Sequence, residues 1–164
     1  MRFIDEAVIE ISSGDGGNGC LSFRREKFIP KGGPDGGDGG KGGNVNFIAK
    51  ESLHTLQDFK LKRKYKAQNG RQGKGKNMHG KDGEDTILEV PLGTILINDE
   101  TDEFLCDLTK SDQLYTVVTG GKGGLGNARF KTSTNRAPRK TTEGKLGETV
   151  KIRLEPVSYT HLRA

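Results

Sequence analysis

Tryptophan is absent from this 164-residue chain, aromatic residues make up 6% of it and apolar residues 30%. So little apolar side-chain volume excludes a large conventional core. Something other than apolar burial must organise part of the chain. Long apolar runs are also missing, which excludes a membrane-spanning helix. The opening MRFIDEAVIEI puts acidic residues where a secretory signal needs an apolar run. A cytoplasmic protein without membrane attachment is expected. Cysteine is limited to Cys20 and Cys106, far apart and both in strand-like runs, which reads as two buried free thiols rather than a disulfide. There is no CxxC pair and no cluster of metal-ligand type, so no metal site is expected. The length suits one domain and leaves no room for a second of ordinary size.

Glycine is what the chain has in excess, with 25 residues, about twice the usual share. Gly33, Gly36, Gly39 and Gly42 recur every third residue through GPDGGDGGKGG, and Gly120, Gly123 and Gly126 do the same. Shorter echoes occur at Gly14 and Gly17, Gly70 and Gly73, and Gly80 and Gly83. Three is the period of a polyproline II helix, in which glycine at every third position leaves a bare backbone ridge. Such ridges can approach one another closely and bond main chain to main chain. A flexible linker is one alternative, but it has no reason to keep a period. Intermolecular collagen is another, but four triplets with the single proline Pro34 are too few. An intramolecular bundle of segments from four or five places in the chain is the favoured reading.

The rest alternates in short runs. Residues 3–11, 20–24, 45–48, 86–90, 94–97, 103–108, 114–119 and 149–154 are rich in Val, Ile, Thr and Phe and are mostly bounded by turn residues. Only residues 53–65 leave room for a short helix or turn. An all-β fold of about eight strands, a small barrel or sandwich carrying the glycine bundle, is predicted.

Charge is unevenly placed around a net +5. Lys60, Lys62, Arg63, Lys64, Lys66, Arg71, Lys74, Lys76 and Lys81 follow one another without an acidic residue between them. From Glu84 to Asp112 the sign reverses, with Lys110 the single base. Such asymmetry suggests a face for a polyanion and a solvated acidic face that repels it. The candidate RNA-contacting set is Arg24, Arg25, Lys27, Lys31 and Lys41; Lys62, Arg63, Lys64, Lys66, Arg71, Lys74, Lys76 and Lys81; and Lys122, Arg129 and Lys131, with Arg136, Arg139 and Lys140 beside them. Such residues neutralise phosphates and release counterions, and arginine also stacks on bases. Phe28, Phe59, Tyr65 and Phe130 lie among them and are read as packing residues before stacking ones.

Nucleotide chemistry is poorly supported. A phosphate loop needs GxxxxGK followed by Ser or Thr, between a strand and a helix. Lys41, Lys74, Lys76, Lys81, Lys122 and Lys145 all follow glycine, and none precedes Ser or Thr. Thr109-Lys110-Ser111-Asp112 has the form of a guanine-reading TKxD element but reads as a turn after a strand. His54 and His79 have no nucleophile or second histidine at a useful spacing.

Four stretches together resemble the Obg family of ribosome-associated GTPases: GDGGNGCLSFRREKFIPKGGPDGGDGGKGGNV, LHTLQDFKLKRKYKAQNG, VPLGT and TGGKGGLGNARFKTSTNRAP. The resemblance covers residues 1–155. It implies a glycine-rich domain of polyproline II helices on a small β-barrel, followed in the family by a GTP-binding domain. It further implies binding to the large ribosomal subunit, with this domain reaching toward the peptidyl-transferase region. GTP and magnesium would belong only to that absent GTPase domain, and this chain alone would not be an enzyme. A protein-interaction domain that regulates the GTPase domain without RNA contact is the alternative. The chain departs from the family at Pro156. From Val157 it resembles the translation of an adapter used to prepare sequencing libraries, so residues 156–164 are expected to be a non-native tail.

Overall fold

The computed structural model describes residues 6–25 and 32–156. Eight strands run in chain order: β1 (Ala7–Ser12), β2 (Val45–Lys50), β3 (Lys64–Lys66), β4 (Thr86–Pro91), β5 (Thr94–Asn98), β6 (Phe104–Leu108), β7 (Leu114–Val118) and β8 (Thr149–Pro156). Among the described residues the one α-helix is the short α1 (Gln57–Leu61), which precedes β3. The strands form a five-stranded sheet of order β3-β1-β8-β5-β6 and a three-stranded sheet of order β4-β2-β7. The two sheets do not close into a barrel, so the sandwich half of the prediction holds.

Alternation explains the core. Ile9 and Ile11 of β1 point inward while Val8 and Glu10 point out, and β8 answers with Ile152 and Leu154 in an antiparallel register that sets Ile9 opposite Ile152. From the other sheet come Val45 and Phe47, both 0% exposed. Truncating a residue such as Phe47 to alanine costs about 3–5 kcal/mol. Phe59 of α1 is buried against this core and Tyr65 packs beside it, their rings 5.8 Å apart. Both do the packing work read from the sequence.

Two elements differ from the sequence reading. Residues 20–24 form no strand and contribute only a single bridge, Phe23 to Pro34. The strand Lys64–Lys66 was not foreseen, because two exposed lysines flank its one half-buried tyrosine. Its backbone pairs in parallel with β1, Tyr65 opposite Ile11. The cysteines are unpaired as expected but half-buried rather than buried, and burial still pushes the Cys106 thiol up.

Between the strands, six extended segments (13–20, 35–43, 67–74, 78–84, 120–127 and 142–148) lie side by side, joined by backbone hydrogen bonds at every third residue. Gly14, Gly17 and Cys20 donate to Gly43, Gly40 and Gly37 at 2.9, 2.8 and 3.0 Å. Gly37, Gly40 and Gly43 in turn donate to Lys74, Arg71 and Gln68. Gly121 and Gly124 donate to Gly14 and Gly17, and Gly39 and Gly42 donate to Gly124 and Gly121. Polyproline II has no internal hydrogen bonds, so its amides must find partners on neighbouring segments. Gly126, with φ −75° and ψ 163°, shows the conformation.

Segments 13–20 and 35–43 are central, each bonded to four others, and carry glycine at two of every three positions over 14–19 and 35–43. The outermost segments, 78–84 and 142–148, carry it at one of three: Gly80 and Gly83, Gly144 and Gly147. A Cβ at Gly36, Gly39, Gly42, Gly120, Gly123 or Gly126 would run into backbone atoms of an adjacent segment. Gly33 differs: only the mobile Lys131 Nζ, at 3.5 Å, would meet a Cβ there. The sequence reading missed the sixth segment, whose two glycines sit in ordinary charged sequence.

Candidate nucleic-acid interface

Each excursion from the sheets leaves as one polyproline II segment and returns as another. The first runs from β1 up residues 13–20 and back along 35–43 to β2. The second climbs 67–74 after β3, turns at Gly75, Lys76 and Asn77, and descends 78–84 into β4. The third leaves β7 along 120–127, passes a 3₁₀ turn (Asn127–Phe130), and returns by 142–148 to β8. This connectivity brings all three turning points to one end of the bundle, opposite the sandwich.

The tip is held by specific side chains. Asn127 is 0% exposed and uses its whole amide. Its Oδ1 accepts the Gly36 and Ser22 N–H groups at 2.9 and 3.3 Å, and its Nδ2 donates to the carbonyls of Ser22 and Pro138 at 2.9 and 3.1 Å. Lys76 and Asn77 have φ of 61° and 57°, and the Met78 N–H closes the turn on Gly75. Two consecutive left-handed residues define a type I′ turn, easy for asparagine and strained for lysine. Asp35 holds it, its carbonyl accepting the Asn77 N–H at 2.7 Å and its Oδ2 the Lys76 N–H at 3.0 Å.

Asp38 locks three segments together. Its Oδ1 accepts the Gly126 N–H at 2.9 Å, its Oδ2 takes Arg129 Nη2 at 2.8 Å, and its own N–H donates to His79 Nδ1 at 3.1 Å. Burial pushes this carboxyl up, but hydrogen bonds from Arg129 and Gly126 and the Arg129 charge outweigh it and hold it below the usual carboxylate value. Other polar side chains serve the same way along the bundle. Asn69, Asp82 and Asp85 accept the N–H groups of Asp15, Lys41 and Asn44. The signal for them lies in the same period of three: His79, Asp82 and Asp85 recur every third residue, and Asn69 directly precedes Gly70.

The predicted cations separate into three groups. Arg24, Arg25, Lys74, Lys76, Arg129 and Lys131 lie at the tip and are exposed, with Arg136, Arg139 and Lys140 beside them. Arg139 sits 5.4 Å over the Phe23 ring and Lys140 5.0 Å over Phe130. Two clefts of about 570 and 470 Å³ open there, and Phe23, Arg24 and Arg25 line both. Lys41, Arg71, Lys81 and Lys122 are exposed along the shaft. Lys62, Arg63, Lys64 and Lys66 stay at the base: Lys62 covers Tyr65, and Lys66 lies 3.9 Å from Asp15. The run from Lys60 to Lys81 is therefore not one patch. At about 3.1 Å per residue, segment 67–74 alone separates its ends by roughly 20 Å. Lys27, Lys31 and Phe28 lie outside the described residues.

Acidic residues gather at the other end. Glu89, Glu100, Asp102, Glu103, Asp107 and Asp112 are exposed on the sandwich strands and turns. Arg153 ties Asp99, Asp102 and Glu155 together there at 2.8–3.0 Å. At the tip, Asp35 is the one carboxylate in the described stretches 21–25, 32–35 and 128–141.

Among the described residues no Gly-Lys pair lies in a strand–loop–helix phosphate loop. Every Gly-Lys pair falls on an extended segment or the Gly75 turn, and none opens a helix. Thr109-Lys110-Ser111-Asp112 is the turn between β6 and β7. Among the described residues no helix is long and apolar enough to cross a membrane.

Comparison with known proteins agrees with this architecture. The GTP1/OBG family model matches residues 4–157. The chain is 59% identical over 155 residues to GTPase Obg of Caldanaerobacter subterraneus subsp. tengcongensis, covering 94% of this chain and 37% of that protein. It is 58% identical over 155 residues to GTPase Obg of Syntrophotalea carbinolica, covering 94% and 44%. The chain thus spans less than half the length of these relatives. With its glycine lattice and sandwich matched almost end to end, the chain belongs to the GTP1/OBG family.

Proposed function

We propose that this chain is the ribosome-docking part of an Obg-type GTPase of the cytoplasm, acting in large-subunit assembly and the stress response, and that its basic tip contacts large-subunit ribosomal RNA. The observation that carries this reading is the convergence of three turning points, from distant parts of the sequence, on one cation-rich end. Exposed arginines and lysines there suit phosphate neutralisation with release of counterions. The acidic sandwich disfavours the reverse orientation. GTP and magnesium belong to the further length found in the relatives, so the chain contributes placement and not hydrolysis.

The test is co-sedimentation of the 164-residue chain with purified large subunits across a salt series. Binding should fall with a log–log slope of roughly −0.7 to −0.9 per phosphate contacted. Arg24→Glu combined with Arg129→Glu should abolish binding at moderate salt. Lys62→Glu combined with Lys64→Glu, at the base, should change it by less than about threefold. A flat salt response, or equal loss in both variants, refutes tip docking and favours a domain that acts through contact with its GTPase partner.

A further inference from the structure

Asp35 is 7% exposed, its Oδ2 holds the Lys76 N–H, and its Oδ1 is shielded from water and accepts no hydrogen bond. Buried polar atoms are nearly always paired, so an orphaned carboxylate oxygen points to a donor that arrives from outside. Asp35 is part of the wall of the larger tip cleft, whose volume of about 570 Å³ is in the range of small-ligand sites. Phe23 forms another part of that wall, and Arg24, Arg25 and Lys76 line the same cleft. Gly75 keeps side-chain atoms away from this oxygen: a Cβ there would stand 3.9 Å from Oδ1 and 2.8 Å from Ser22 Oγ.

These features specify a ligand with three parts. The aromatic wall suits a planar ring, the orphaned oxygen requires an N–H donor, and the cations suit an attached phosphate. A bare phosphate would meet the carboxylate, and a bare cation would meet the arginines. An unpaired nucleotide satisfies all three. With only one oxygen free, a base presenting an exocyclic amine fits best. Uracil places its single N–H between two carbonyls that would face the carboxylate.

We propose that the tip cleft is a binding site for one unpaired, amine-bearing RNA base, with Asp35 Oδ1 as the acceptor that selects it and Phe23 as its stacking wall. This rests on the RNA-docking reading above and adds base selection to it. Stacking of single-stranded bases on aromatic walls is a general mode of such recognition.

The test uses the 164-residue chain and two probes, oligocytidine and oligouridine RNA of about ten nucleotides, at one fixed salt concentration. The wild type should hold oligocytidine about tenfold more tightly, the worth of one hydrogen bond to a charged group. Asp35→Asn keeps an acceptor for Lys76 and turns an amide donor toward the vacant position, so it should erase or invert the ratio with an unchanged salt slope. Gly75→Ala, whose Cβ narrows the approach, should erase the ratio with an unchanged Tm. Equal affinity of the wild type for both probes, failure to bind either, or a ratio that survives Asp35→Asn overturns the proposal. If the wild type still co-sediments with large subunits in those cases, the docking reading stands and only base selection falls. If co-sedimentation is also lost, both fall.

Discussion

Replacing Gly123 with alanine tests whether the bundle is held by backbone contact. The new Cβ would overlap the Gly39 carbonyl and stand 3.0 Å from the Gly40 oxygen. Both neighbours are backbone, so no side chain can rotate away. Segment 120–127 must then move from segment 35–43 by about 1 Å or more to reach ordinary contact distance. The two backbone-to-backbone bonds that join them, Gly39 N–H to Gly124 at 2.8 Å and Gly42 N–H to Gly121 at 2.9 Å, would pass beyond hydrogen-bonding range. A buried group left unpaired costs about 1–3 kcal/mol, so two lost bonds cost about 2–6 kcal/mol. That is a large part of the roughly 5–15 kcal/mol that stabilises a domain. For a chain of this size it lowers Tm by about 4–24 °C. Gly33→Ala is the control. Only Lys131 Nζ would feel that Cβ, so the change should stay within about 0.5 kcal/mol. Differential scanning calorimetry of both variants decides the matter. If Gly123→Ala melts within about 2 °C of wild type, or both variants fall alike, close backbone approach is not what holds the bundle.

Asn127→Asp should be nearly as damaging. It removes the donors to Ser22 and Pro138 and sets a buried negative charge against their carbonyls, at a cost of about 3–5 kcal/mol. A thermal midpoint unchanged by that substitution would show that the four-bond clamp is not needed. Arg129→Gln tests the Asp38 lock through pH. A carboxyl whose folded pKa is depressed adds stability that is complete above its unfolded value and is lost as pH falls through the folded one. The deficit of Arg129→Gln, no more than about 1 kcal/mol because the arginine is exposed, should be constant near neutrality and shrink below about pH 4. A deficit that persists undiminished at about pH 2 would assign it to packing instead of charge.

Much of the architecture is legible in the sequence because two periods are written into it. Period two marks β1 and β8, where Ile9, Ile11, Ile152 and Leu154 alternate with more exposed residues. Period three marks the segments that carry glycine at two of three positions. The failures share a cause. Residues 20–24 alternate in hydrophobicity, yet they make only the isolated bridge from Phe23 to Pro34, so alternation without a ladder is misread as a strand. Lys64–Lys66 has a ladder but only three residues, two of them lysine, and is missed. Whether two sheets close depends on edges such as β3 and β6, which no local pattern reports. The charge pattern misled for a related reason. Lys62 and Lys76 are close in the chain, but the extended segment between them puts one at the base and the other at the tip. Arg24, Lys76 and Arg136, distant in sequence, come together around two adjoining clefts.

That last juxtaposition depends on the same glycines that make the fold unusual. Packed α-helices keep their axes 8–10 Å apart because side chains stand between them. Segments whose facing positions are bare can sit at hydrogen-bonding distance instead, as the 2.7–3.3 Å bonds between the six segments require. A shaft so built is narrow and has no apolar core to lose, and both central segments are bonded along their length to four neighbours. Residues at its end are then fixed by backbone registers that begin in the sandwich. On the docking reading, the first contacts of Arg24, Lys76 and Arg129 with phosphate would not have to order a loose shaft. The immobilisation that remains is that of the side chains, about 0.5–1.5 kcal/mol each. The same logic predicts where sequence can vary. Outward triplet positions tolerate any polar residue that reaches a neighbour's amide, whereas an inward glycine tolerates nothing. A domain made this way can change the chemistry of its tip while its shaft stays the same.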